Sequence, residues 1–466
     1  MWVTATLGES VACYHTTWIA PKSRFEATKP NSCHTMATDM TDATDHFDTP
    51  RAWAVAVGAS IANGVAFGVL YTFGAFVSSM GKEFNTKLGP TSIVFGLSMF
   101  LFFGMGAISG RWADRYGPRP LLAVGGAMFC AGLVATSFVT AIWQGYIVYG
   151  IGCGLGGGIF CSPLFSTVAT FFVKYRALAQ GVAATGSGFG TLLLVPFAKA
   201  IIDAEGWRNS YRILAVISAV GFLIGLLMVR RSPSQAPGIA GGHVRNVMRT
   251  REFKTISLAF GLMSMALMGS FAFVIKFAED DGITPSKAAL LMSVVGASSI
   301  LGRLLLTAVA GKLGSVRLLQ IALMAQPVAY FFWIIANGRY YLLVIFAALL
   351  GLTYGGFVAL AGDVVAFYFG LVGIGAVTGM LFFYSGFGSL VGPPIVGFLA
   401  DLSTLRILPV GAVFVMASLG AVVLLTASTK PVDFAARQPT PPPEPEMPIG
   451  NGTTPRRPTV FELEPV

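Results

Sequence analysis

The chain has very little charge for its length. Of its 466 residues only 11% are charged, whereas 55% are hydrophobic and 56 are glycine. A soluble domain carries about 25% charged residues. This composition excludes a water-soluble fold, because too few polar side chains are present to cover its surface. The sequence therefore predicts an integral membrane protein.

Residue types that build metal sites and catalytic centres are also scarce. The five cysteines are odd in number and have no paired spacing, and the four histidines lie outside the apolar runs. No G-x-x-x-x-G-K-[S/T] motif occurs, and the G-x-G-x-x-G at Gly152, Gly154 and Gly157 lies inside an apolar run instead of between a strand and a helix. We expect no enzyme activity, metal or cofactor. We predict close helix packing at this run, with Gly150, Gly154 and Gly158 as a small-residue seam.

Long apolar runs are abundant. From Trp53 onward, twelve hydrophobic stretches each approach the roughly 20 residues that cross a bilayer as a helix. A spanning backbone must satisfy its own hydrogen bonds, and the alternating pattern of a β-barrel is absent, so these stretches are predicted to be helices. The predicted spans are 52–78, 92–110, 120–140, 142–171, 178–201, 211–229, 254–278, 288–310, 317–337, 340–368, 372–398 and 405–427. The predicted fold class is an all-α membrane protein.

The net charge of +10 is spread over short connectors instead of forming one patch, which argues against a nucleic-acid partner. The connectors after predicted spans 2, 4, 6 and 8 hold most of the basic residues, whereas the other side has fewer bases and many acids. The positive-inside rule therefore places the basic side and both termini in the cytosol.

The chain ends differ from the spans. Residues 1–50 are polar and lack the apolar core of a signal peptide, and residues 429–466 are rich in proline. We predict two disordered cytosolic tails that flank a six-helix bundle at 51–229, a basic linker at 230–252 and a second six-helix bundle at 253–428. The sequence does not decide whether the protein starts at Met1, Met36 or Met40.

The sequence repeats itself. "GRWADRYGPRPLL" at 110–122 aligns with "TAVAGKLGSVRLL" at 307–319, an offset of 197, and "SGFG" at 187–190 recurs at 385–388, an offset of 198. Pro196 then falls on Pro394. Two parallel six-helix repeats are the plan of transporters that rock two halves about a central site.

These motifs resemble a known superfamily. Two six-helix bundles with G-x-x-x-D-R-x-G after the second span are similar to the major facilitator superfamily, and the motif runs from Gly110 to Gly117 here. Within it, "FFVKYRALAQGVAATG" at 171–186 and "GPPIVGFLAD" at 392–401 resemble the monocarboxylate transporter family, with tails that suggest the fungal branch. The resemblance covers about residues 50–428 and implies proton-coupled transport of a small organic anion by alternating access.

Three positions depart from that family. Only Trp53 remains of the signature that opens its first span, and Ala75 stands where animal members place a substrate-engaging lysine. Ser299 stands four residues before Arg303, where those members place an aspartate. These departures weaken the expectation of a lactate–proton mechanism but not the expectation of transport.

The charged turn after the second span predicts a gate. Its carboxylate can pair with an arginine or face a helix N-terminus, and in the superfamily the motif closes the cytosolic side when the cavity opens outward. Positive-inside topology alone explains the arginines but not Asp114. The predicted gating residues are Gly110, Asp114, Arg115, Gly117 and Arg119.

Arg303 lies within the eighth predicted span. An intramembrane arginine costs about 2.5–3.5 kcal/mol on insertion scales, so it either faces a cavity or reaches for the interface. The resemblance favours anion binding, in which the guanidinium holds a carboxylate through two parallel hydrogen bonds. Other residues predicted to line the cavity are Asn63, Tyr71, Phe271, Phe273, Tyr354, Tyr384 and Ser385. Asp363, an acid in the tenth span, is the predicted proton carrier, with a structural pair as the alternative.

The sequence thus predicts a secondary transporter of a small, monocarboxylate-like organic anion, with protons as a second partner, in the plasma membrane. Two alternatives stay open. One is an exporter or importer of a larger metabolite, such as a vitamin or fungal secondary metabolite, and the other is a membrane nutrient sensor that does not transport. Neither the direction of transport nor the oligomeric state follows from the sequence.

Overall fold

The structure, a computed structural model, describes residues 48–172, 175–231, 241–370, 374–403 and 406–427. The predicted tails before residue 48 and after residue 427 lie outside the described residues, as do Met1, Met36 and Met40. The boundaries of the tails, bundles and linker therefore stay predictions.

Regular secondary structure is helical throughout the described ranges. The helices are Pro50–Tyr71, Phe73–Glu83, Leu88–Tyr116, Pro118–Thr136, Ile142–Tyr149, a π-helical segment Gly150–Leu155, Gly156–Phe171, Arg176–Glu205, Trp207–Met228, Gly241–Met248, Arg251–Asp280, Pro285–Leu313, Ser315–Ala336, Tyr340–Phe369, Ile374–Leu402 and Ile407–Leu425.

Twelve helical stretches within the described residues are long and apolar enough to cross a membrane. Numbered in chain order, spans 1 to 12 are Pro50–Glu83, Leu88–Gly110, Pro118–Thr136, Ile142–Phe171, Leu178–Glu205, Trp207–Met228, Arg251–Asp280, Pro285–Ala310, Ser315–Ala336, Tyr340–Phe369, Gly375–Leu402 and Ile407–Leu425. The predicted fold class is confirmed. We call the face that holds the start of span 1 and the end of span 12 the terminal face, and the other the opposite face.

The spans form two bundles. Spans 1 to 6 pack together, and so do spans 7 to 12. The two halves meet where span 2 packs along span 11, where span 5 packs along span 8, and where the second helix of span 1 contacts span 7. Span 10 also contacts span 5, so a group held between the halves lies among spans 1, 2, 5, 7, 8, 10 and 11.

Equivalent helix contacts recur in the two halves. A Cβ on Gly190 would lie 1.9 Å from the carbonyl oxygen of Gly64, where spans 5 and 1 pack. Likewise, a Cβ on Gly388 would lie 2.0 Å from the carbonyl oxygen of Gly261, where spans 11 and 7 pack. Only glycine permits backbones to approach this closely. The sequence repeat thus corresponds to a repeat in helix packing.

The helices of spans 2 and 8 end in the same way. Gly117 and Gly314, which align in the sequence repeat, have φ angles of 82° and 83° directly after these helices. This left-handed conformation is accessible to glycine without the steric cost that a Cβ imposes. The glycine of the motif therefore shapes the turn.

Span 4 contains the predicted glycine seam. A Cβ on Gly154 would lie 2.6 Å from the carbonyl oxygen of Ser98, and one on Gly158 would lie 2.5 Å from the carbonyl oxygen of Phe102, both in span 2. The packing role predicted for this motif is confirmed. The same stretch forms the π-helical segment Gly150–Leu155, a local widening that glycine tolerates and that the apolar pattern does not reveal.

We predict that Gly190→Ala destabilises the protein by about 1–3 kcal/mol, the usual cost of overpacking, because the new methyl group meets the backbone of span 1. Gly181→Ala in the same helix is the matched control, since no atom of the described residues lies within 4 Å of its Cβ position. Thermal melting of the two variants in detergent measures the difference. Equal melting temperatures would contradict the close packing of spans 1 and 5.

Candidate functional site

Arg303 of span 8 lies where the two halves meet, and 0% of it is exposed. Its Nη1 donates to the carbonyl oxygen of Ala184 at 2.7 Å, and its Nη2 donates to Oγ of Ser187, also at 2.7 Å. Both acceptors belong to span 5. Nε makes no hydrogen bond within the described part of the chain. Arg303, a cation of the second half, is thus held by two acceptors of the first half, and its Nε–H is left as a further donor.

Arg303 is absent from the ion pairs that the described residues form, which involve Lys199, Arg208, Lys276 and Arg406. One turn before Arg303, the Oγ of Ser299 donates to the carbonyl oxygen of Gly296 at 2.8 Å. An uncharged hydroxyl cannot neutralise the guanidinium. Because a buried charge is costly unless it is paired, this geometry suits the binding of an anion.

Three aromatic rings lie beside Arg303. Its Cζ is 5.5 Å from the ring centroid of Tyr354, within the range of a cation–π interaction. The hydroxyls of Tyr354 and Tyr71 share a hydrogen bond of 2.8 Å between the two halves. Phe271 packs edge-on against Tyr71 and Tyr354, with centroid distances of 4.8 and 5.6 Å. We call Tyr71, Phe271 and Tyr354 the aromatic plug.

Two further predicted residues are buried with free polar atoms. Asn63, about two turns before Tyr71 in span 1, is 0% exposed, and neither polar atom of its amide has a hydrogen-bond partner among the described residues. Oγ of Ser385 in span 11 is likewise buried and lacks a described partner. Since buried polar groups are usually hydrogen-bonded, both side chains are suited to contact a polar solute.

Three other predicted residues lie away from Arg303. The ring of Tyr384 is 6.0 Å from that of Phe253, near the terminal face. Phe273 stacks on Phe277 with a centroid distance of 5.6 Å. Asp363 is exposed, about 14 Å along the axis of span 10 from Tyr354 towards the terminal face. The structure therefore brings Arg303 together with the plug but not with these three residues.

The predicted gating motif is only partly described. Gly110 has no atom within 4 Å of its Cβ position, and Gly117 forms the turn. Arg115 and Arg119 are exposed, and Cζ of Arg115 is 5.3 Å from the ring centroid of its neighbour Tyr116. The side chain of Asp114 lies outside the described residues. The gating role of this motif stays a prediction.

Ser187 is a site residue that the sequence analysis missed. It is 5% exposed, accepts from Arg303, and donates to the carbonyl oxygen of Ala184 at 3.2 Å. The internal repeat carried a signal for it, because Ser187 opens the "SGFG" whose second copy begins with Ser385. Treating the two copies alike would have selected both serines.

The halves are in contact towards the opposite face. A Cβ on Gly74 would lie 2.5 Å from the carbonyl oxygen of Phe271, so spans 1 and 7 touch beyond the plug.

Two repeated six-helix halves around a buried charge define a multi-pass membrane transporter. A family model of the Major Facilitator Superfamily matches residues 59–339. The chain belongs to the Major Facilitator Superfamily.

Individual relatives show which members of the superfamily the chain is similar to. The chain is 28% identical over 363 residues to monocarboxylate transporter 4 of Rattus norvegicus, covering 75% of this chain and 77% of the relative. It is 30% identical over 355 residues to an MFS-type transporter of Gibberella moniliformis, covering 74% of this chain and 82% of the relative. The predicted resemblance to monocarboxylate transporters is confirmed.

Solved structures show the same fold. A D-xylose-proton symporter matches with a TM-score of 0.64 at 15% identity, covering 81% of this chain and 98% of that one. A bacterial homolog of the human lysosomal transporter Spinster, in an inward-facing and occupied conformation, matches with a TM-score of 0.63 at 16% identity, covering 82% of this chain and 97% of that one.

We predict that Arg303→Met raises the melting temperature of the ligand-free protein. Replacing buried ionic groups with apolar residues of similar volume is often stabilising, by about 1–4 kcal/mol, and the hydroxyl of Ser187 still donates to the carbonyl of Ala184. Thermal melting in detergent measures the effect. Arg115→Met, at an exposed arginine outside span 2, is the control and should not change it. A lower melting temperature for Arg303→Met alone would show that the guanidinium is needed for packing.

Proposed function

We propose that the chain is a secondary active transporter that moves a small organic anion with one carboxylate by alternating access. The observation that carries this proposal is Arg303, which is fully buried between the halves and takes no part in the ion pairs of the described residues. A carboxylate supplies both a neutralising charge and acceptor oxygens for a planar guanidinium.

The surrounding groups support a monocarboxylate. The plug offers aromatic surface to the apolar part of a substrate, and the free amide of Asn63 offers one polar contact. A single buried cation matches a single carboxylate. The name of monocarboxylate transporter 4, a relative at 28% identity, agrees with this class.

The arrangement of the halves supports alternating access. Close contacts between the halves towards the opposite face, such as that of Gly74 with Phe271, are a feature expected of one of two alternate states. Exposed bases such as Arg115, Arg119, Lys312 and Arg317 lie at the terminal face. By the positive-inside rule this face is cytosolic. The plasma membrane is the proposed location.

A larger metabolite that carries a carboxylate is the second candidate substrate. Ala75 and Ser299, the positions where animal monocarboxylate transporters have charged residues, are both buried here and add no charge. Recognition then depends more on the aromatic rings and less on electrostatics. This would suit a substrate with more apolar surface than a short acid.

We expect wild-type protein in proteoliposomes to accumulate labelled short monocarboxylates when an inward proton gradient is applied. Arg303→Ala should lower this uptake about tenfold or more, because one charge-assisted hydrogen bond contributes about 1.5–3 kcal/mol. Arg303→Lys should retain part of the uptake with a raised KM, since an ammonium keeps the charge but not the paired hydrogen bonds.

Arg339→Ala is the control for this assay, because its side chain is exposed in the turn between spans 9 and 10. No uptake of any short acid by correctly inserted wild-type protein would overturn the short-monocarboxylate proposal. The same assay with larger labelled carboxylates would then test the second candidate.

We predict that Asp363→Asn removes the acceleration of uptake by a proton gradient, because an amide cannot carry a proton across. Exchange of labelled for unlabelled substrate, which needs no net proton movement, should persist. Glu205→Gln, at an exposed acid on the opposite face, is the control. Unchanged acceleration in Asp363→Asn would assign proton coupling to another group.

A further inference from the structure

We propose that Asp401, Lys199 and Glu279 form an ionic clasp that holds the two halves together at the opposite face and releases when that face opens. The inference uses the alternating access of the proposed function but does not depend on the identity of the substrate. It assigns specific side chains to a gate at the opposite face, whereas the motif around Asp114 predicts one at the terminal face.

The first of the two contacts in the clasp is a helix cap that a side chain of the other bundle supplies across the interface. Asp401 in the last turn of span 11 accepts hydrogen bonds from the backbone N–H groups of Leu88 at 3.0 Å and Gly89 at 2.7 Å. These residues begin the helix of span 2, whose first N–H groups have no partner within the helix. The positive end of the helix dipole also favours a carboxylate there.

This helix has no side-chain cap of its own. Lys87 occupies the N-cap position and makes no capping hydrogen bond with its side chain. The cap that serine, threonine or aspartate usually supplies locally comes here from the other half of the protein. Separation of spans 2 and 11 would therefore return two N–H groups of span 2 to solvent.

Close packing sets the position of Asp401. One turn earlier, a Cβ on Gly397 would lie 2.8 Å from the Cα of Gly89, so the backbones of spans 11 and 2 are in contact. Asp401 also lines a cavity of about 300 Å³ together with Lys82, Lys87 and Lys276. Lys276 is itself paired with Asp280.

The second contact in the clasp is an ion pair between spans 5 and 7. Nζ of Lys199 lies 2.8 Å from a carboxylate oxygen of Glu279, across the interface. It also lies 3.1 Å from Asp203, one turn further along its own helix. The side chains of Lys199 and Glu279 are only 11% and 20% exposed. Their attraction is therefore screened less by water than that of a surface pair.

Both contacts are specific to one state. They join the halves near the opposite face and make no contact with Arg303 or the plug. Opening of that face must separate Asp401 from Leu88 and Lys199 from Glu279. Interactions that exist in only one of two states shift the equilibrium towards that state. The clasp therefore favours the conformation that is closed at the opposite face.

The chain offers matched controls. Asp203→Asn removes one negative charge beside Lys199 but breaks a contact within the first half only. Asp280→Asn removes one negative charge beside Lys276 and Arg406, and it breaks contacts within the second half only. Asp401→Ala removes both acceptor oxygens and Glu279→Gln removes the carboxylate charge, and each breaks a contact between the halves. Asp401→Asn keeps one acceptor oxygen and is the milder variant.

The test is a distance measurement by pulsed electron paramagnetic resonance on reconstituted protein. Spin labels are placed as unnatural amino acids at positions 205 and 337, which are exposed on the opposite face in different halves. We expect Asp401→Ala and Glu279→Gln each to increase the population with long label separation about fivefold or more. The two controls should resemble the wild type, and Asp401→Asn should lie between the wild type and Asp401→Ala.

The clasp is wrong if Asp401→Ala and Glu279→Gln change the distances no more than Asp203→Asn and Asp280→Asn do. It is also wrong if no variant ever shows a longer separation, a result that would contradict alternating access as well. If Asp401→Ala fails to fold, Glu279→Gln and its control Asp203→Asn decide alone. The uptake assay on Arg303 tests the substrate separately, so the clasp can hold when the anion assignment fails.

Discussion

Close contact between helix backbones is the constraint on which this structure depends. Lipid is as apolar as the side chains, so helices in a bilayer gain little from burying apolar surface and associate through tight packing instead. Glycine makes this possible where Gly190 meets Gly64 and where Gly397 meets Gly89. The first contact holds spans 5 and 1 together within a half, and the second joins the halves. The abundance of glycine, 56 residues in the chain, is thus an architectural requirement.

The same packing makes a buried charge tolerable. Span 5 approaches span 8 closely at Gly188 and Gly296, and this brings the carbonyl of Ala184 and the hydroxyl of Ser187 within reach of Arg303. These acceptors solvate the guanidinium without neutralising it. A guanidinium has five N–H donors, so a carboxylate can be added at Nε without displacing span 5. An anion bound there would contact the interface between the halves directly.

The sequence predicted the spans well because they follow from long apolar runs. It predicted the repeat well because matching motifs recur at a nearly constant offset. The apolar pattern identified all twelve spans, although the helices extend past its limits, as in Arg251–Asp280 against the predicted 254–278, because a helix continues into polar turns at the membrane surface. The site was predicted less completely. Arg303, Tyr71 and Tyr354 are together, but Tyr384 is not, because hydropathy shows that a residue is in a span and not which neighbour it meets. Ser187 and Asp401 acquire their roles only across the interface between the halves.

The two sets of contacts between the halves differ in chemistry, and this difference fits the two tasks that alternating access requires. The plug near the middle of the membrane is held by aromatic contacts and one hydroxyl pair, which need no water and can exclude it. The contacts of Asp401 and Lys199 at the opposite face are ionic, and their partners can be hydrated when they separate. An ion pair at the level of the plug would cost more to break, because its charges would separate in a region of low dielectric. The charged group that lies there, Arg303, bonds to neutral acceptors instead. Placing the ionic contacts at the surface and the aromatic ones in the middle therefore keeps both states accessible.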